Sequence, residues 1–312
     1  MTKVLIASVP GMIEGSDWEP LLAHSQVDYI ESEKMSEAEL AGLCAGYDYL
    51  MLNYDLVHNL SPDFYRRPEV SELKGISCDL TGMDWCSPQA AKAAGVQLFF
   101  VPYYSTRSVA ESMLAEILLH SRQRHLAYLD QINGLEPQAR QGINLYGRVA
   151  GVVGMGNIGS HIASLLRNLG MHVMEWHYRR PDLSSSLVEI FSRSDVICVC
   201  SATVREGADR NVGMINKNLL NLSNQAIVVN LANSLLVDDQ AMAWAIGEGK
   251  VAAYSVDRWP EMHSSPLMGL PQVHMSPANA WSSPESLAEL RRVWVDNTLQ
   301  AILGKPQNIH PV

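Results

Sequence analysis

The sequence predicts an α/β chain built from two parallel-sheet domains, and three observations carry that expectation. Strand-like apolar runs alternate with helix-like stretches from Val4 to Phe100. A second series of the same kind opens at Val149 on a glycine-punctuated turn and continues to about Pro277. At 312 residues the chain is long enough for two medium domains, each with its own core.

In chain order, Val4–Val9, Val27–Ile30, Tyr49–Leu52 and Val96–Phe100 are apolar runs bounded by turn residues and read as strands. Stretches such as Ser36–Ala45 read as the helices between them, which is the βα rhythm of a sheet covered by helices. The ranges 108–122 and 284–297 predict two long helical segments that form a hinge. Val149-Ala150-Gly151-Val152-Val153 is a strand that runs into Gly154-Met155-Gly156-Asn157-Ile158-Gly159. Beyond it Ile162, Leu165, Leu166 and Leu169 share one helix face. G-x-G-x-x-G alone is weak, but between a strand and a helix it is the dinucleotide fingerprint. The first glycine makes the turn, the second lets backbone approach pyrophosphate, and the third lets helix pack on strand. Phosphate then rests on the free N–H groups of the helix start, which makes Gly154, Gly156, Asn157, Ile158 and Gly159 candidate cofactor-binding residues.

Composition excludes several classes. Hydrophobic residues make up 47% and charged residues 18%, as in an ordinary globular protein. A net charge of −10, with no basic run beyond Arg179-Arg180 and Arg291-Arg292, argues against nucleic-acid and anionic-membrane partners. No segment approaches a membrane span, and the N-terminal apolar run is too short for a signal peptide. Five cysteines without C-x-x-C suit a reducing compartment, so a cytoplasmic location is expected. Cys198 and Cys200 alternate along a strand and point to one face. The histidines do not pair with carboxylates at ligand spacing, so no metal is expected.

Further motifs follow in a fixed order: Ser108-Val109-Ala110-Glu111, Ser194-Asp195-Val196-Ile197, Gly213-Met214-Ile215-Asn216, Val228 to Ser234, Val256-Asp257, and Met275 to Trp281 with Ser283-Pro284-Glu285 after it. Together they resemble the D-isomer-specific 2-hydroxyacid dehydrogenases over nearly the whole chain. The resemblance implies two Rossmann-like domains: a flavodoxin-like substrate domain of residues 1–98 and 284–312, discontinuous around a nucleotide-binding domain of residues 99–283. It also implies a homodimer built around Ser108–Gln123. Cys200, near the family's His and Pro, and Asp257 of the L-D-V position are expected at the cofactor.

Two positions depart from that family. Asn233 stands where the resemblance places a substrate-binding Arg, and Ala278 where it places the acid/base His. Asn233 can donate neutral hydrogen bonds but offers no charge or bidentate fork, and Ala278 donates nothing. The family Glu that orients the His corresponds to Glu261, or by a one-residue shift in spacing falls at Met262. His274, four residues before Ala278 on a strand and roughly 13 Å away at extended rise, reads as a strand-end residue. Other polar groups can take over: Asn53 after the third strand, Tyr104 before the long helix, and the loop Thr81-Gly82-Met83-Asp84 that resembles the family's carboxylate-binding loop.

The family's ribose-binding Asp falls at His177, followed by Tyr178-Arg179-Arg180. Loss of the carboxylate removes repulsion toward a 2′-phosphate that an adjacent Arg can grip, so NADP is expected over NAD, with NAD possible. Strand alternation is expected to point Glu175 away from His177. Two functions follow. One is an NADP-preferring oxidoreductase acting on a small-molecule carbonyl, hydroxy or imine substrate that is not a standard 2-hydroxy acid. The other is a catalytically inactive dinucleotide-binding sensor or partner subunit.

Overall fold

The structure, a computed structural model, describes residues 1–135, 140–178, 180, 185–205, 208–258 and 264–311. It divides into two compact units, Met1–Tyr104 with Ser283–Val312, and Ser105–Ser282. The boundaries expected from the sequence lie six residues earlier at the first crossing and one later at the second.

Unit 1 contains β1 (Thr2–Ser8), α1 (Gly15–Leu22), β2 (Ser25–Glu31), α2 (Glu37–Leu43), β3 (Tyr49–Leu52), β4 (Gly75–Cys78), α3 (Pro88–Ala93) and β5 (Gln97–Phe99). Its sheet has the order β2-β1-β3-β4-β5 and every pairing is parallel. Both faces are covered, which is why β1 reads as a continuous apolar run. Leu5 and Ala7 join one cluster with Leu40 and Phe64, whereas Val4 and Ile6 join another with Leu290 and Trp294.

Unit 2 contains α4 (Thr106–Ser121), α5 (Arg124–Ile132), β6 (Val149–Val153), α6 (Asn157–Asn168), β7 (His172–Trp176), α7 (Leu187–Arg193), β8 (Val196–Val199), α8 (Lys217–Leu220), β9 (Ala226–Asn230), α9 (Asp239–Gly247), β10 (Val251–Asp257) and β11 (Val273–Ser276). The order β11-β10-β9-β8-β6-β7 is again wholly parallel and reverses beside β6. In such sheets ligands bind outside the carboxyl ends of the strands at the reversal. Met113 and Ile117 of α4 and Ile162 and Leu166 of α6 cover one face through Val152, Cys198 and Val229. Phe191 of α7 and Met242 of α9 cover the other through Val153, Val199 and Val228.

The last helix, α10 (Pro284–Ile302), belongs to unit 1. Its Trp294 is fully buried and donates from Nε1 to the Ser77 carbonyl at 2.7 Å. Among the described residues no helix is long and apolar enough to cross a membrane. Nor does any group of three or more His, Cys, Asp or Glu among them form a metal site.

Candidate dinucleotide site

The three glycines after β6 are glycines for different reasons. Gly154 adopts φ +104°, and a Cβ there would lie 2.6 Å from the Ser201 backbone nitrogen. A Cβ on Gly159 would lie 2.0 Å from the Gly154 carbonyl oxygen, so α6 packs on the turn only without one. Gly156 is different. Its φ −87° and ψ −159° suit any residue, and a Cβ there would meet nothing within 4 Å. Neither conformation nor packing within the protein calls for glycine at 156. Gly156 also caps α6, whose first-turn N–H groups lack intrahelical partners and receive no side-chain cap.

This turn forms one wall of a groove of about 710 Å³ at the carboxyl ends of β6, β7 and β8. Its other lining residues include Trp176 at the end of β7, His177, Tyr178 and Arg180 after it, and Cys200, Ser201, Asp209, Arg210 and Asn211 after β8. Asn157, Ile158 and Gly159 form the helix start behind the turn. Partly buried Cys200 has its Sγ 3.7 Å from the Met113 Sδ, and burial raises its thiol pKa well above the ordinary range. Arg179 lies outside the described residues.

Glu175 does not turn away from His177. Its Oε2 lies 3.2 Å from His177 Nε2, and Arg167 pairs with its Oε1. The expectation of opposite faces is corrected by strand geometry itself, since residues two apart project to the same side. Burial pushes the Glu175 carboxyl up, but the hydrogen bonds of Arg167 and His177 outweigh it and hold the group below its ordinary value. The acid is therefore already neutralised at its own strand end. Sequence reading missed Asp209 and Arg210. The Tyr178 hydroxyl donates to Asp209, joining the segment after β7 to the one after β8. Asn211 closes the second segment, its Oδ1 accepting from Val204 N and its Nδ2 donating to the Ala202 carbonyl, both at 2.7 Å. The paired arginines Arg205 and Arg210 after β8 were the available signal.

The carboxyl ends of β9, β10 and β11 hold Asn233, Asp257 and Ala278, at positions singled out by the sequence reading. Asn233 accepts the Leu235 N–H on Oδ1 at 2.9 Å, so its side chain caps the following turn. The Asp257 carboxylate gathers the next loop, accepting from the Ser276 hydroxyl, from Asn279 N at 3.0 Å and from Ala280 N at 2.8 Å. Ala278 sits inside that clamp with φ +53°. Glu261 lies outside the described residues. His274 is more than a strand-end residue: its Nδ1 meets the Glu116 carboxylate at 2.8 Å, a partner 158 positions away. The polar cluster extends through Ser255, which donates to Glu116 at 2.6 Å and contacts His120 Nε2 at 2.8 Å.

In unit 1, Asn53 is 0% exposed and its Nδ2 donates to the buried Asp79 carboxylate. Burial pushes Asp79 up to about 7, despite hydrogen bonds from Tyr54 N and Asn53. Tyr104 packs partly buried against the cluster of Val4, Met51 and Val101. In the Thr81–Asp84 loop, Thr81 and Gly82 are exposed, and the Gly82 carbonyl accepts from Trp85 Nε1 at 3.0 Å.

Known proteins share this architecture. The chain is 30% identical over 69% of its length to D-3-phosphoglycerate dehydrogenase of Haemophilus influenzae, of which it spans only 55%. It is 27% identical to hydroxypyruvate reductase of Blautia hydrogenotrophica, covering 73% of this chain and 76% of that one. An acyclic imino acid reductase solved in complex with NADPH and D-Arg superposes with a TM-score of 0.85 at 19% identity, over 99% of this chain and all of that one. Residues 114–280, more than half of the chain and including the groove, match the NAD binding domain of the D-isomer specific 2-hydroxyacid dehydrogenases. The chain belongs to that family of oxidoreductases.

Proposed function

We propose that this protein is an NADP(H)-preferring oxidoreductase that acts on a carbonyl, hydroxy or imine compound other than a small 2-hydroxy acid. Gly156 is the observation that carries the dinucleotide part: it is the second glycine of the fingerprint, where backbone approaches pyrophosphate, and no protein contact or backbone strain requires glycine there. A nicotinamide dinucleotide supplies the hydride when bound. The Gly154–Gly159 turn and the first-turn amides of α6 hold its pyrophosphate. His177, Arg180 and Arg210 form the basic mouth that suits a 2′-phosphate, with Asp209 tied to Tyr178 and Glu175 tied to Arg167. The imino acid reductase of the same fold binds NADPH; the preference argued here rests on this chain's own residues. Titration of NADP⁺ and NAD⁺ by calorimetry tests it. Affinity for NADP⁺ at least about tenfold higher is expected, and equal or reversed affinities overturn the preference.

Substrate selection follows from Asn233 and Ala278. No cation waits at 233 for a carboxylate, and no proton donor stands at 278. Ala278 also favours a second reading, a dinucleotide-binding sensor without turnover. Purified protein with NADPH and a panel of ketones, aldehydes and imines separates the two by the presence or absence of cofactor oxidation. We further propose a homodimer. Helix α5 has no buried residue, and Tyr128, Ile132 and Leu135 are each more than half exposed, an apolar face that a second copy would cover. A light-scattering mass near 34.5 kDa would overturn it.

A further inference from the structure

A second cavity, of about 370 Å³, lies along the carboxyl edge of the unit 2 sheet. Leu231 past β9, Ser276, Pro277 and Asn279 at and past the end of β11, His274 of β11 and Glu116 of α4 line it. A dinucleotide in an open parallel sheet lies across the strand ends, its adenosine half beside the strand that carries the ribose-binding position. Here that strand is β7, so the reacting half extends over β8 toward β9, β10 and β11, where this second cavity opens.

Resting on the oxidoreductase reading above, we propose that His274, oriented by Glu116, is the proton donor and acceptor of the hydride-transfer reaction. It would serve in place of the histidine that the family carries where this chain has Ala278. Four observations support it. Among the residues lining the cavity, His274 and Glu116 are the only titratable ones. The His274 side chain is 35% exposed, and its Nδ1 is held by both Glu116 oxygens at 2.8 and 3.0 Å. Its Nε2 makes no hydrogen bond among the described residues, which leaves that nitrogen for a substrate. Pro277, Asn279 and Ala280, the chain neighbours of Ala278, line the same cavity, so a donor at 274 opens beside the loop where the family carries its histidine.

The charges around His274 favour a proton on this ring alone. Glu116 stays below its ordinary carboxyl value: burial pushes it up, but hydrogen bonds from His274 and Ser255 outweigh that. Glu116 in turn raises His274, whereas burial pushes His120 down to about 4 and lowers His125. These are the titratable groups facing the ring from α4 and α5. In reduction, the substrate carbonyl carbon receives a hydride, which brings two electrons and one hydrogen, from the reduced dinucleotide. The oxygen receives the proton of His274 Nε2 and becomes a hydroxyl. His274 is left neutral, Glu116 remains a carboxylate, and solvent returns the proton. Glu116 is thus a positioning residue, since it acts through His274.

The test uses the full chain and three readouts: NADP⁺ affinity, imidazole titration of His274 by NMR with and without NADP⁺, and the pH profile of turnover on the best carbonyl substrate of the panel. His274→Gln should keep NADP⁺ affinity within about threefold and lose about 10²–10⁴ in kcat. Glu116→Gln should lower the titration midpoint of His274 and move the alkaline limb of the kcat profile to lower pH, an effect that loss of packing does not produce. The His274 resonances should also titrate at a different pH once NADP⁺ is bound. Near-wild-type turnover of His274→Gln with an unchanged pH profile, or His274 resonances indifferent to NADP⁺, overturns the proposal and leaves the oxidoreductase reading standing. A wild-type chain that binds no dinucleotide, or binds it and oxidises none of it, overturns that reading and the role of His274 with it. If His274→Gln fails to fold, Glu116→Gln alone decides, because the two profile shifts are still required.

Discussion

Substituting alanine at Gly156 should separate ligand binding from folding. The backbone at 156 is in a region open to all residues, and the added methyl meets no protein atom within 4 Å. Replacing glycine by alanine at a helix N-cap costs about 1 kcal/mol or less. For a unit of this size that lowers Tm by roughly 2–4 °C at most. With a pyrophosphate seated on the first-turn amides of α6, as proposed, the same methyl would hold it away from them. Losing one charge-assisted hydrogen bond costs about 1.5–3 kcal/mol, so dinucleotide affinity should fall about 10- to 150-fold. Gly159→Ala is the contrasting control. Its Cβ would sit 2.0 Å from the Gly154 oxygen, and overpacking of that kind costs about 1–3 kcal/mol, a Tm loss of roughly 2–12 °C. Calorimetric titration and thermal unfolding of both variants read the two effects independently. A Gly156→Ala protein that binds NADP⁺ as the wild type does would refute the assignment of this turn to pyrophosphate. One that unfolds as readily as Gly159→Ala would refute the claim that packing does not require glycine there.

Other expectations follow from the same residues. Arg180→Ala and Arg210→Ala should each weaken NADP⁺ about 10- to 150-fold and leave NAD⁺ within about twofold, as competitive titration will show. Wild-type protein should reduce glyoxylate and pyruvate poorly, and Asn233→Arg with Ala278→His should restore measurable glyoxylate reduction where neither single change does; initial rates with NADPH for all four proteins are the measurement. The left-handed backbone at 278 is one that histidine tolerates better than most residues, so the second change fits the loop. Buried His120 of unit 2 and Asp79 of unit 1 should contribute to stability in opposite directions as pH falls. His120 is held at about 4, below its unfolded value, so its contribution is full above about pH 6.5 and falls away toward pH 4, a loss on the order of 3 kcal/mol in unit 2. Asp79 is raised to about 7, so unit 1 gains stability as pH falls from about 7 toward 4. Hydrogen exchange resolved by segment, corrected for intrinsic rates, should show the opposite slopes, and Asp79→Asn should flatten that of unit 1.

What the sequence made legible was local or periodic. β1 and β8 read as strands because both of their faces are buried and their apolar runs are unbroken. The turn after β6 was legible because its three glycines sit at fixed spacing between a strand and an amphipathic helix. The partners that decide chemistry were not legible, because they lie far apart along the chain. Asn53 looked like a loop residue until Asp79, 26 positions on, drew it into the interior. His274 looked inert until Glu116 met it from α4. Arg210 reaches the groove because Tyr178 and Asp209 join two segments that no spacing rule links. Glu175 was a different case: the periodicity that reads strands was sufficient there, and applied correctly it places the acid beside His177.

The turns that carry Asn233 and Ala278 bear on how chemistry could change on an intact scaffold. The loop after β11 is shaped by Asp257, which gathers Ser276, Asn279 and Ala280 without any contribution from the side chain at 278. The turn after β9 is capped by the Asn233 carbonyl oxygen acting on Leu235, with Asn230 Nδ2 donating to the Asn233 backbone oxygen at 2.9 Å. Neither turn needs the charge of an arginine or the ring of a histidine to hold its shape. Residues that bind and protonate a substrate were therefore separable from residues that build the carboxyl edge, which is why fold and family were readable while the reaction depends on what lines that edge. With Ala278 unable to exchange a proton, a pair that can is the Glu116–His274 pair lining the cavity beside it, held by α4 and β11, two elements whose positions are fixed by packing and strand pairing. A proton donor mounted on such elements is better fixed than one on a loop.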